Sequence, residues 1–157
     1  MTRRVETILN RARAKSAKIA TVESCTAGMV AAALTDIPGS SDVFDRGFVT
    51  YSNAAKIAMV GVSPQTLEKF GAVSVETAIE MADGGLAHSD ASLVVSITGL
   101  AGPGGSALKP EGRVCFALAE TGSETVVELH DFGALGRDAV REVARDYALD
   151  LLLARLA

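Results

Sequence analysis

The sequence has no tryptophan, only 4% aromatic residues, two cysteines and two histidines. Few aromatics disfavour a surface that stacks bases or sugars. Cys25 and Cys115 make no disulfide framework in a chain of 157 residues, and no CxxC or Cys/His cluster points to zinc. Fifteen Lys plus Arg against nineteen Asp plus Glu leaves a net charge of −4, with both signs well mixed. No basic stripe marks a nucleic-acid partner. Apolar-rich stretches such as 92–97 and 149–153 fall far short of the roughly 20 residues that a membrane helix needs. The first ten residues are amphipathic and lack the apolar core of a signal peptide. A cytoplasmic protein without metal, cofactor, nucleic acid or membrane is the expectation.

What is present is glycine, at fifteen positions, in a chain that is 48% apolar. The length is that of one domain, spanning residues 1–157, and is enough to bury roughly two-thirds of the unfolded surface. So much glycine marks places where the backbone turns through positive φ or approaches something closely.

The apolar periodicity predicts a helix over 5–15 capped by Thr2, then a buried strand over 18–24. A helix over 26–34 follows, so Ser24, Cys25 and Thr26 fall on a strand-to-helix turn. A second strand runs over 44–51, with helices over 53–59, 62–71 and from Ser74 to the Gly84-Gly85 pair. Residues 92–98 are apolar on both faces, as a covered central strand should be. A glycine-rich loop over 99–112 precedes a hairpin (114–120 and 124–132) and a final helix over 138–156. Alternating strands and helices with one hairpin predict an α/β fold, a three-layer α/β/α sandwich on a mixed, mostly parallel sheet.

Ligands of open α/β sheets bind beyond the carboxyl ends of the strands. Three segments leave strands there with reactive side chains: 23–26, 50–53 with Lys56 just beyond, and 98–105. If their strands are parallel neighbours, the three turns converge. Ser24 is the candidate nucleophile, with helix-start N–H groups as a candidate oxyanion hole; the plainer reading is that Ser24 or Thr26 caps the helix. His88 and His130 belong to none of these turns, so the sequence gives a Ser-His-Asp triad no support; lysine is the other candidate base, since a desolvated lysine can lose its proton near neutral pH. Among five lysines, Lys56 lies five residues after Tyr51, close enough for both to face one pocket. Cys25 ranks below Ser24, because a buried cysteine is commonly a small hydrophobe. The loop over 99–105, with four glycines, suits a nest for an anion but is neither a Walker A motif nor a dinucleotide fingerprint. Lys109, Arg113, Arg137 and Arg141 are the nearby cations available to a phosphate.

The runs Glu23-Ser-Cys-Thr-Ala-Gly28, Gly39-Ser-Ser41, Arg46-Gly-Phe-Val-Thr-Tyr-Ser-Asn-Ala-Ala-Lys56, Gly71-Ala-Val-Ser74, Thr98-Gly-Leu-Ala-Gly-Pro103 and Lys109-Pro110 together resemble the CinA C-terminal domain family. The resemblance extends from about residue 5 to residue 153. Characterised stand-alone members are nicotinamide-nucleotide amidases, so it implies deamidation of nicotinamide mononucleotide to nicotinic acid mononucleotide and ammonia in pyridine-nucleotide salvage. It places the catalytic serine, tyrosine and lysine on Ser24, Tyr51 and Lys56. Substrate contacts fall on Glu23, Thr26, Ala27 and Gly28, on Thr98, Gly99, Ala101 and Gly102, and on Arg141. It further implies a homodimer or larger homo-oligomer. The pyrophosphatase activity of the N-terminal domain found in long members is not expected. Three departures stand out: Ala27 replaces a usual glycine, the glycine loop is one residue short, and Glu111 stands where an apolar residue is common. Those departures favour the alternative, a catalytically idle nucleotide-binding regulatory module of the competence- or damage-inducible type.

Overall fold

A computed structural model describes residues 1–157. Five strands, β1 (Ile19–Glu23), β2 (Phe44–Val49), β3 (Leu93–Gly99), β4 (Arg113–Glu120) and β5 (Val126–Asp131), form one sheet in the order β2-β1-β3-β4-β5. β1 pairs in parallel with β2 and β3, while β4 pairs antiparallel with β3 and β5. Only β4 therefore runs against the other four, which is the mixed, mostly parallel sheet the sequence predicts.

Six helices cover it: α1 (Thr2–Ala14), α2 (Met29–Thr35), α3 (Asn53–Val60), α4 (Pro64–Phe70), α5 (Val75–Ala87) and α6 (Arg137–Arg155). Strand alternation sorts the core into two layers. Ile19, Leu93, Val95, Ile97, Val114 and Phe116 point to α1, α2 and α6. Ala20, Val22, Val94, Cys115 and Ala117 point to the face of α3, α4 and α5. The second layer is built from small side chains, and α5 comes close enough that a Cβ on Gly84 would lie 1.8 Å from the Val60 carbonyl oxygen.

Two helix starts differ from expectation by three residues. Thr2 is the first helical residue of α1, whose cap is Met1 with no side-chain bond. α2 starts at Met29 instead of Thr26, because Ala27 and Gly28 both adopt left-handed backbone (φ 44° and 96°) and carry the chain out of β1 before the helix begins. The parallel order β2-β1-β3 brings the ends of those three strands to one edge, so the three reactive turns do converge.

Candidate active site

Ser24 is the first residue beyond β1. Its N–H donates to the Ile97 carbonyl (2.9 Å), which continues the ladder one step, and its side chain then faces the α3 side of the sheet. Lys56 sits in the first turn of α3, a helix set by Ser52, whose hydroxyl accepts the Ala55 N–H. From there its side chain runs back under the sheet edge, where Nζ lies 3.1 Å from Ser24 Oγ. Nζ also donates to the carbonyls of Thr50 (2.9 Å) and Tyr51 (3.4 Å). Lys56 is only 1% exposed and no carboxylate contacts it. Burial pushes its pKa below the ordinary lysine value, against a weaker opposing pull from Cys25. A neutral amine has two hydrogens and one lone pair. As an ammonium Nζ donates to all three oxygens; as a neutral amine it keeps two hydrogens for the carbonyls and a lone pair for the Ser24 hydroxyl.

These two side chains open on a cavity of about 260 Å³, lined by Ser24, Cys25, Tyr51, Lys56, Ala72, Val73, Thr98, Gly99, Leu100, Ala101 and Arg137. Cys25 is no competitor as nucleophile, because burial drives its thiol pKa up to about 12. Thr50 Oγ1 is buried without a hydrogen-bond partner, next to the carbonyl that receives Lys56.

The expected site residues divide. Ser24, Lys56, Tyr51, Thr98, Gly99 and Ala101 line the cavity. Glu23, Thr26, Ala27, Gly28, Gly102 and Arg141 do not. Glu23 faces the opposite side of the sheet and is fully engaged there: it accepts from the hydroxyls of Thr21 (3.1 Å) and Thr26 (2.7 Å) and the N–H groups of Val30 (2.9 Å) and Ala31 (3.0 Å). Its carboxylate thus caps α2 and takes the helix-start N–H groups of Val30 and Ala31, while in the turn itself the Ala27 N–H donates to the Ser24 carbonyl. Ala27 is exposed in the turn. Its φ is positive, a region that alanine rarely adopts. Arg141 donates to the Cys25 carbonyl (3.0 Å), bracing the turn from behind. Arg137, one helical turn earlier, is the arginine at the cavity.

Tyr51 is 57% exposed at the cavity mouth. Its hydroxyl accepts from Arg137 (2.9 Å), and only its backbone carbonyl touches Lys56. Arg137 also donates to the Gly102 carbonyl (2.8 Å). The Glu111 carboxylate accepts the Gly104 N–H (2.8 Å) and stays out of the cavity.

One backbone donor is well placed. The Leu100 N–H bonds to the Arg113 carbonyl (2.9 Å), so ladder alternation turns the Gly99 N–H the other way, toward the end of β1. Its natural acceptor there, the Ser24 carbonyl, instead takes the Ala27 N–H (3.0 Å). A side chain at 99 would crowd β4, with a Cβ only 2.7 Å from Val114 Cγ2.

A three-layer α/β protein with a buried serine–lysine pair at the carboxyl edge of its parallel strands is the class that fold and site define. The chain belongs to the CinA C-terminal domain family, whose model matches residues 1–156. It is 50% identical over 141 residues to the nicotinamide-nucleotide amidohydrolase PncC of Escherichia coli K12, covering 89% of this chain and 85% of that one. A putative competence-damage inducible protein of Caldicellulosiruptor saccharolyticus is 43% identical over 94% of this chain, which corresponds to 36% of that longer protein. Among solved structures, the competence/damage inducible protein CihA from Agrobacterium tumefaciens superposes with a TM-score of 0.94 at 44% identity, covering 98% of this chain and 93% of that chain. A CinA superfamily protein from E. coli gives 0.92 at 34% identity, over 98% and 88%.

Proposed function

We propose that the protein is a nicotinamide-nucleotide amidohydrolase, releasing ammonia from nicotinamide mononucleotide by way of an acyl-enzyme on Ser24. The observation that carries this reading is the 3.1 Å contact between Ser24 Oγ and a buried Lys56 amine that no carboxylate holds charged. The likeness to PncC supplies the substrate.

Neutral Lys56 accepts the Ser24 hydroxyl proton as Oγ attacks the carboxamide carbon. The Gly99 N–H faces the developing oxyanion, with the Ala101 N–H on the same wall as its partner. A good donor of this kind is worth about 3–4 kcal/mol in the transition state. The C–N bond then breaks as the Lys56 ammonium returns the proton to the leaving nitrogen, which departs as ammonia. Water attacks the ester, Lys56 takes its proton, and the proton passes back to Ser24 Oγ as nicotinic acid mononucleotide leaves. Tyr51 has no proton to move in this sequence. With Arg137 it forms the polar rim of the mouth, where the Arg137 guanidinium meets the nucleotide phosphate. A homodimer or larger assembly in the cytoplasm completes the reading, and sedimentation of the purified protein measures the first part.

The purified protein is expected to release ammonia from nicotinamide mononucleotide, and Ser24→Ala to abolish turnover while still binding the nucleotide. A Ser24→Ala variant with near wild-type rate would remove the assignment. Nucleotide binding by wild type without ammonia release would favour the idle regulatory module.

A further inference from the structure

The segment 71–73 joins α4 to α5 and gives the cavity two of its wall residues, Ala72 and Val73. It lies in neither helix nor strand, yet side chains hold every carbonyl from 70 to 73. Gly71 O accepts the hydroxyls of Ser74 (2.9 Å) and Thr77 (2.7 Å), and Ala72 O accepts that of Thr98 (2.7 Å). Phe70 O and Val73 O both accept Lys109 Nζ, at 2.7 and 2.5 Å. The hydroxyls come from α5, its cap and β3, which are parts of the frame. Lys109 alone comes from the glycine-rich loop that follows Leu100 and Ala101, the residues that line the same cavity from the other side.

We propose that Lys109 is a positioning residue, whose ammonium ties the glycine loop to the 71–73 wall and thereby sets the width of the substrate cavity. The seat is close: a Cβ built on Gly71 would lie 3.0 Å from Nζ. Outside the tie is a second hollow of about 460 Å³, lined by Lys109, Phe70, Leu108 and others, which shares Ala72, Val73 and Leu100 with the catalytic cavity. Releasing the ammonium lets the two hollows merge. Ser24 and Lys56 are fixed by β1 and α3, and the Gly99 N–H by β3, so the reacting groups stay in place when the wall loosens. An effect on binding without an effect on chemistry is the signature of lost uniform binding.

The kinetic arm rests on the amidohydrolase reading; a second arm does not. Lys109→Met keeps the aliphatic stem and removes the ammonium. It is expected to raise KM for nicotinamide mononucleotide about tenfold, as the loss of two charge-assisted bonds allows, with kcat within about threefold of wild type. Lys109→Arg, which retains charge and donors for both carbonyls, is expected to keep KM within about threefold. Lys69→Met, in the same outer hollow, is expected to change neither constant. Without any substrate, amide hydrogen exchange is expected to quicken at 71–73 and 100–112 in Lys109→Met and nowhere else. An inactive wild type with quickened exchange in the variant would overturn the amidohydrolase reading and keep the tie. Unchanged exchange and KM in Lys109→Met, a fall in kcat equal to the rise in KM, or a Lys109→Arg as impaired as Lys109→Met would each overturn the tie. Should Lys109→Met fail to fold, Lys109→Gln, which also removes the ammonium, carries the test through the same KM and exchange readouts against wild type.

Discussion

Glu23 and Lys56 are the two charged side chains of the buried core, each 1% exposed, and they flank Ser24 from opposite faces of the sheet. On the α2 face, four donors, two of them helix N–H groups, surround the Glu23 carboxylate. Nothing about that arrangement is left to react; it holds the start of α2 against the end of β1. On the α3 face, Lys56 has two carbonyls and one serine hydroxyl, and no opposite charge. A buried carboxylate is tolerable when hydrogen bonds satisfy it, whereas a buried amine without a counter-charge is driven toward its neutral form. The same turn therefore separates a structural charge from a chemical one. A family resemblance that puts both residues in one site does not distinguish them, while their hydrogen-bond partners do.

The contrast breaks most visibly at Lys56. Lys56→Met is expected to lower kcat by roughly 10³-fold or more, since it removes the proposed general base. It also tests the energetics. Because the folded-state pKa is depressed, the unfolded chain binds more protons than the native one between that value and about 10.4. Wild-type stability therefore rises with pH through that window. The stability of wild type relative to Lys56→Met should climb as pH is raised, and wild-type kcat/KM should fall on the acid side of the same pKa. Urea midpoints and rates measured across pH check both, and a flat stability difference would mean that the amine is not held against its solvation.

Glu23→Gln should show the opposite division. It leaves the Lys56–Ser24 pair untouched but replaces an acceptor-only group with an amide that cannot receive all four donors. A loss of about 2–4 kcal/mol in unfolding free energy is expected, with kcat reduced far less than by Lys56→Met. Chemical denaturation alongside an ammonia assay separates the two effects. A stable but inactive Glu23→Gln would return the carboxylate to the chemistry.

How much of this was legible beforehand follows the same division. The β-branched run of β3 and the apolar run of β1 announce buried strands, and a serine leaving one strand with a lysine just past the next announces the pair. Contacts made across the fold were not legible. Arg137 and Arg141 are one helical turn apart on α6, and only the path of the preceding loop decides which reaches the cavity. The sequence puts the start of α2 at Thr26, three residues early, because its cap comes from within the preceding strand and no local cap marks Met29. The 71–73 wall is held by Ser74, Thr77, Thr98 and Lys109, whose only local trace is the short run Gly71-Ala-Val-Ser74.

Tyr51 sharpens the comparison at the next scale down. If Lys56 acts alone, Tyr51→Phe removes one acceptor from Arg137 at an exposed rim, and kcat should stay within about fivefold of wild type. The pH profile should keep its Lys56 limb unchanged. A Tyr51→Phe as damaged as Lys56→Met would make the tyrosine a relay through a rearrangement of the mouth.

The smallest expected effect belongs to Ala27, where the turn that divides the two charges carries its own strain. An alanine at φ 44° costs about 1 kcal/mol relative to its preferred backbone, because its Cβ crowds the following carbonyl. Glycine removes that crowding but gives the unfolded chain more freedom, which offsets part of the gain. Ala27→Gly is therefore expected to stabilise the protein by about 0.5 kcal/mol, a shift within reach of careful urea titration. Activity should not change, because the exposed Ala27 methyl lies outside the cavity lining and the Ala27 N–H already meets the Ser24 carbonyl. A gain in kcat instead would show that strain in this turn reaches Ser24 Oγ, and that the alanine tunes the nucleophile as well as the fold.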